Sequence, residues 1–220
     1  MNLEKMKKVF LWKMSHKRCH LDRLSALPDA LLICILSFLS TKGCDHTSTN
    51  APDPISTKKV ARTSILSKRW QHLWTNLLEL EFKEKSCECE KILKTVNRVH
   101  HTIGIHRENY LERLYVDFHY YESFASDVDS WVGYVVINKV KNVTLQLNPK
   151  GVLYMLPQSM YYSSFFTSLS LRGWDLVPER TVDWKYLTRL HLNDVKFDEH
   201  VIEKILSGCP MMYSLILCQC

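Results

Sequence analysis

Leu187-Thr-Arg-Leu-His-Leu-Asn-Asp-Val195 and Met212-Tyr-Ser-Leu-Ile-Leu-Cys-Gln-Cys220 share one template: an apolar residue, another three positions on, and a third two beyond that. Two apolar residues spaced by two put one face of a short strand into a core. Working outward toward the N-terminus, the same template fits Phe166-x-x-Leu169-x-Leu171, Val140-x-x-Val143-x-Leu145 and Leu111-x-x-Leu114-x-Val116. The central residues of the five copies stand 29, 26, 21 and 25 apart. Leu147 also alternates with Leu145, which leaves the register over 140–147 open. One short strand cannot bury an apolar face alone, whereas copies stacked side by side make that face continuous.

Separations of ~20–29 residues are those of leucine-rich repeats, so the spacing predicts a short solenoid rather than a β-rich domain with irregular repeats. Helices should fall between its strands. Ser126, with Asp129 three residues on, is read as a capping box, and Val128, Trp131, Val132, Val135 and Val136 form the buried stripe behind it. Asp198 is expected to cap a second helix with Val201, Ile202, Ile205 and Leu206 inside, ended by Gly208 before Pro210. Ile92, Val96, Val99 and Ile103 share one face of a third, over 88–103. The copy at 212–220 has its strand but no turn or helix after it, which suggests a truncated product or fragment.

The N-terminal half carries a second pattern. Asp22-Arg-Leu-Ser-Ala-Leu-Pro-Asp-Ala-Leu-Leu-Ile-Cys-Ile-Leu-Ser-Phe-Leu39 opens a helix at Pro28, where a missing N–H costs nothing, and Asp29 complements the helix dipole. Leu31, Leu32, Ile35, Leu36 and Leu39 then form a helical stripe. Val60-Ala-Arg-Thr-Ser-Ile-Leu-Ser-Lys-Arg-Trp70 follows, with Leu66, Trp70, Leu73 and Trp74 at the same spacing. Together these stretches resemble the F-box, in particular the plant type that precedes leucine-rich repeats. Val128-Asp-Ser-Trp-Val-Gly-Tyr-Val-Val136 and Asp198–Pro210 resemble the helical side of those repeats. The resemblance covers residues 22–220 apart from 43–58. That segment is rich in turn formers and poor in apolar residues, and Ser-Thr-Lys flanks it at 40–42 and 56–58. Without it the chain reads straight through as the family does, so it is taken as an insertion. Loop closure grows costlier by only about 0.6 kcal/mol per doubling of length, so the helices on either side can still pair.

The chain has 220 residues and a formal net charge of +6, unevenly spread. Residues 1–106 hold 18 Lys and Arg against 10 Asp and Glu; residues 107–220 hold 11 against 13. Scattered lysines of this kind usually form a solvated face. No stretch approaches the ~20 apolar residues of a membrane span. Met1–His20 is basic but has no apolar core like that of a secretory leader, so the eight cysteines are expected to be reduced thiols inside the cell, in nucleus or cytoplasm. Cys87-Glu-Cys89 and Cys218-Gln-Cys220 lack the spacing of structural zinc ligands. His100-His101 point apart on a helix. No nucleophile elbow, zincin motif or phosphate-binding glycine loop is present, and six glycines leave little material for one.

The expected fold class is therefore α/β with an all-α N-terminal module. A basic leader spans 1–21, a small helical F-box 22–80, a linking helix 81–106, and leucine-rich repeats 107–220. The resemblance implies a non-catalytic, cofactor-free substrate-recognition subunit of a cullin-RING ubiquitin ligase. The F-box would bind the adaptor subunit through Leu27, Pro28, Leu31, Ile35, Leu39, Leu66, Trp70 and Trp74, and the repeats would hold an unknown protein substrate. The rival expectations are an interaction scaffold or decoy whose F-box is disabled by 43–58 and, ranked last because no reading motif accompanies the basic half, a nucleic-acid binder.

Overall fold

In the computed structural model the residues described are 27–29, 31–32, 78–106 and 110–220. Six parallel strands form one sheet in strict chain order: β1 (Glu79–Lys83), β2 (Arg113–Phe118), β3 (Asn142–Leu147), β5 (Ser168–Arg172), β7 (Arg189–Asn193) and β8 (Ser214–Cys218). A small second sheet pairs β4 (Tyr154–Met155) with β6 (Trp174–Asp175). Neighbours in sequence are neighbours in space, which is the signature of a solenoid.

Register makes the core. Leu80, Leu114, Val143, Leu169, Leu190 and Leu215 lie in one row across the sheet, and Phe82, Val116, Leu145, Leu171, Leu192 and Leu217 in a second. Both rows are buried from β1 to β7. At β8 the rows open: Leu215 is partly covered and Leu217 is 44% exposed. Leu147 is buried and pairs in register with Phe118, so β3 uses all three of its alternating apolar residues.

A recurring hydrogen-bond device sets each strand against the last. The carbonyl of Leu78 accepts from the amides of Glu112 and Arg113, that of Lys141 from Thr167 and Ser168, and that of Thr167 from Thr188 and Arg189. The carbonyl of Thr188 accepts likewise from Tyr213 and Ser214. One acceptor thus satisfies two donors at the entrances of β2, β5, β7 and β8, where unpaired backbone would otherwise be costly, while at β3 the Glu112 carbonyl accepts from the Asn142 amide alone.

Helices back the apolar rows. In α1 (Cys89–Ile105) the buried residues Ile92, Val96, Val99 and Ile103 are those the sequence assigned to one face. In α2 (Ala125–Ile137) Val128, Trp131, Val132 and Val135 are buried, and Trp131 meets Phe118 edge to face at 5.5 Å between centroids. Ser126 does not cap it: a 3-10 turn, Glu122–Phe124, leads in and no side chain caps the helix. Asp198 is the residue before α4 (Glu199–Gly208) but its side chain makes no capping bond. Val201 and Ile205 are buried there, Ile202 is partly so, and Leu206 is exposed. Gly208 has no room for a side chain, since a β-carbon would stand 2.1 Å from the Val182 carbonyl oxygen.

The helix expected in every gap is not always present. Between β3 and β5 the only helix is the single turn α3 (Gln158–Tyr161), and between β5 and β7 the short strand β6 and an irregular segment take the place of a helix. Indole and phenol groups take over there. The Trp184 Nε1–H donates to the Met160 carbonyl at 2.8 Å, the Trp174 Nε1–H to that of Leu145 at 3.0 Å, and Tyr161 stacks on Trp184.

One further correction concerns the segment expected as the end of the F-box and a linking helix. Glu79–Lys83 is a strand paired along its whole length with β2, and α1 packs on the same core as α2. The sheet therefore begins at Glu79. Of residues 22–77, only 27–29, 31 and 32 lie among those described.

Candidate recognition face and the family

The side chains that alternate with the buried rows point the other way and form three outward rows. The first is Glu79, Arg113, Asn142, Ser168, Arg189 and Ser214; the second Glu81, Tyr115, Thr144, Ser170, His191 and Ile216; the third Lys83, Asp117, Gln146, Arg172, Asn193 and Cys218. Every one is partly or fully exposed. This is a ruled surface of 18 side chains whose order follows from strand register.

Its charge is graded. At the β1–β2 end Arg113 pairs with Glu79 at 3.5 Å, Lys83 stands over the Tyr115 ring at 5.5 Å, and the Tyr115 hydroxyl donates to Asp117 at 3.3 Å. The Asn148 amide donates to the other Asp117 oxygen at 2.9 Å. The centre is neutral, with Asn142, Thr144, Gln146, Ser168 and Ser170. Arg172, Arg189 and His191 follow. Nε of Arg172 and Oδ1 of Asn193, register partners, are both buried and have no hydrogen-bond partner among the described residues. Such a face offers polar contacts in register across the sheet.

Beyond the strand ends, Tyr120, Tyr121, Glu122, Lys150, Leu153 and Tyr154 line a cleft of about 420 Å³. Burial raises the pKa of the Tyr120 and Tyr154 phenols, helped in both by nearby carboxylates, so both stay neutral and polar-tipped. Among the described residues no group of three or more His, Cys, Asp or Glu side chains could hold a metal, and no helix is long and apolar enough to cross a membrane. Cys87, Cys89, Cys209, Cys218 and Cys220 are free thiols.

Three of the residues expected to bind an adaptor are described. The amides of Leu31 and Leu32 donate to the Pro28 carbonyl at 3.0 and 3.1 Å, which opens a helix at Asp29. Pro28 is exposed, Leu27 is partly buried, and Leu31 is 51% exposed beside a fully buried Leu32. Ile35, Leu39, Leu66, Trp70 and Trp74, and the segment 43–58, lie outside the described residues. The outward rows themselves were not singled out from sequence, because choosing them requires knowing which strands pair.

Comparison with known proteins agrees with both halves. The family model described as "FBD-associated F-box protein At5g56370, LRR repeats" matches residues 128–220. F-box/LRR-repeat protein 25 of Arabidopsis thaliana is 30% identical over 202 residues, covering 90% of this chain and 68% of that protein. The chain belongs to the F-box/LRR-repeat family. Other Arabidopsis members match this family member similarly. F-box/LRR-repeat protein At3g26922 is 30% identical over 89% of this chain and 59% of its own length, and F-box/FBD/LRR-repeat protein At4g00160 is 30% identical over 89% and 41%. The F-box/LRR-repeat chain thus spans from about two fifths to two thirds of the length of these relatives. No solved structure matches it.

Proposed function

We propose that this F-box/LRR-repeat protein is a non-catalytic substrate receptor of a cullin-RING ubiquitin ligase of the SCF type. The F-box, residues 22–42 and 59–74, binds the adaptor subunit, and the outward face of the sheet holds a protein target. Ubiquitin transfer is then accelerated by raised effective concentration, with the chemistry supplied by another subunit. The observation that carries this reading is the pairing, in one chain, of an F-box motif with a register-ordered polar face. Leu31, half exposed at the opening of its helix, supports this reading as an apolar side chain with surface left to bury. The receptor works in the nucleus or cytoplasm, where cullin ligases and reduced thiols coexist.

Co-purification of the full chain with a purified adaptor subunit tests the proposal, and a stable one-to-one complex is expected. Leu31→Asp with Ile35→Asp should weaken it by about a hundredfold or more, since each buried leucine or isoleucine contributes roughly 1.5–3 kcal/mol and an unpaired carboxylate opposes docking. Unchanged capture of the double variant would overturn the F-box assignment. The insertion-like composition of 43–58 favours a second reading, a scaffold or decoy that does not engage the adaptor. Deleting 43–58 distinguishes the two: gained adaptor affinity supports the decoy, and unchanged affinity supports the receptor.

A further inference from the structure

Cys87 lies in the loop between β1 and α1 and is exposed. Its sulfur stands 3.3 Å from Nε2 of His119, in the loop after β2. Lys150, in the loop after β3, completes the group. Its ammonium lies 6.0 Å from the centroid of the Tyr121 ring, and its hold on its proton is raised first by charge on Cys87 and next by Tyr121. Three loops that follow three adjacent parallel strands therefore bring together a thiol, an imidazole and an ammonium. The nearby carboxylates are engaged elsewhere: Glu84 accepts from the Ser86 amide at 2.9 Å, and Glu88 pairs with Lys91 at 2.8 Å. Lys150 also lines the 420 Å³ cleft, and the exposed Cys87 is reached directly from solvent.

Cys89 is two residues away and equally exposed, but among the described residues no imidazole stands by it. The Cys220 thiol donates to the carbonyls of Leu192 and Cys218, at 3.6 and 3.4 Å. Cys209 is buried. Only Cys87 among these combines exposure, a base and a neighbouring cation, the surroundings in which thiols react as nucleophiles.

We propose that Cys87 is an oxidation site, a nucleophilic thiol that reacts with hydroperoxides while His119 takes and returns the proton and Lys150 flanks the developing charge. The thiol proton passes to Nε2 of His119, and the sulfur attacks one peroxide oxygen. The S–O bond forms as the O–O bond breaks, and the departing oxygen takes the proton back from His119 to leave as water or alcohol. Sulfur is oxidised to the sulfenic acid and the peroxide is reduced, so atoms and electrons balance with no other reactant. This chemistry stands apart from the ligase-receptor reading.

The test treats the full chain with hydrogen peroxide, traps sulfenic acid with dimedone, and localises the adduct by fragmenting the 86–91 peptide. Cys87 is expected to be trapped about tenfold faster than Cys89, its internal reference. His119→Ala should bring the Cys87 rate down to that of Cys89 without moving the latter, and Lys150→Gln should lower it severalfold. In urea the two thiols should react alike, because the preference comes from the fold. Equal rates in the native chain, an unchanged Cys87 rate in the His119 variant, or a preference that persists in urea would each overturn the proposal.

Discussion

Gly173 sits where two chain segments meet, with φ at +78° and space for no β-carbon: one would stand 2.1 Å from the Leu147 carbonyl oxygen and 2.6 Å from Cδ of Pro149. Its amide donates toward the carbonyls of Asn193 and Asp194, so the backbone cannot relax away without losing those bonds. Gly173→Ala should therefore destabilise the chain by about 3 kcal/mol or more, the left-handed conformation and the overlap adding together. A thermal or urea melt showing a loss below about 1 kcal/mol would contradict this account. Cys209 illustrates a different control. Burial pushes its thiol up from 9.0 to about 11. The folded state therefore holds this proton more tightly than the unfolded state does. Its contribution is fully present below pH 9 and is lost as pH rises toward 11. Stability should fall by about 2 kcal/mol across that window from this group, and Cys209→Ala should remove that part of the decline. An identical pH profile in the variant would show that the thiol titrates alike in both states.

Among the elements, strands were easier to read than helices. The template marks residues that must share a buried face, so β2, β3, β5, β7 and β8 follow from it. β1 was missed although Leu77-x-x-Leu80-x-Phe82 fits the same template. The reason is distance: Leu80 and Leu114 pair in register 34 positions apart, beyond the usual repeat length, because the 17-residue α1 lies between. Helix capping failed as a guide because tertiary packing, through Phe124, Trp131 and Val201, holds α2 and α4 at their starts without side-chain caps. The strands also differ in what they contribute. Leu171→Ala, in a row closed on both sides, should cost about 2–5 kcal/mol, whereas Leu217→Ala should cost under about 1 kcal/mol. Comparable losses in equilibrium unfolding would mean that Leu217 is covered in solution.

For the molecule as a whole, the two proposed surfaces were legible to different degrees. Docking residues of an F-box lie in contiguous helices, so a linear motif exposes them. The outward rows draw one residue from each of six strands spread over 79–218, and only pairing puts Glu81, Tyr115, Thr144, Ser170, His191 and Ile216 side by side. Likewise Cys87 and His119, 32 positions apart, meet through loop geometry that no periodicity encodes. The opposed faces predict a sharp contrast between adjacent positions. Ser170→Arg should change stability by no more than about 0.5 kcal/mol while altering target binding, whereas Leu169→Arg should prevent folding. Circular dichroism of both variants decides it, and a folded Leu169 variant would refute the assigned register.

The doubly accepting carbonyl at four of the strand entrances has a consequence for how such a protein can change over generations. Leu78, Lys141, Thr167 and Thr188 fix the start of the next strand regardless of how much chain intervenes. Insertions and deletions on the helical side therefore leave the outward rows in step. New specificities can arise one side chain at a time on a lattice that need not be rebuilt, while the connections behind it drift freely in length.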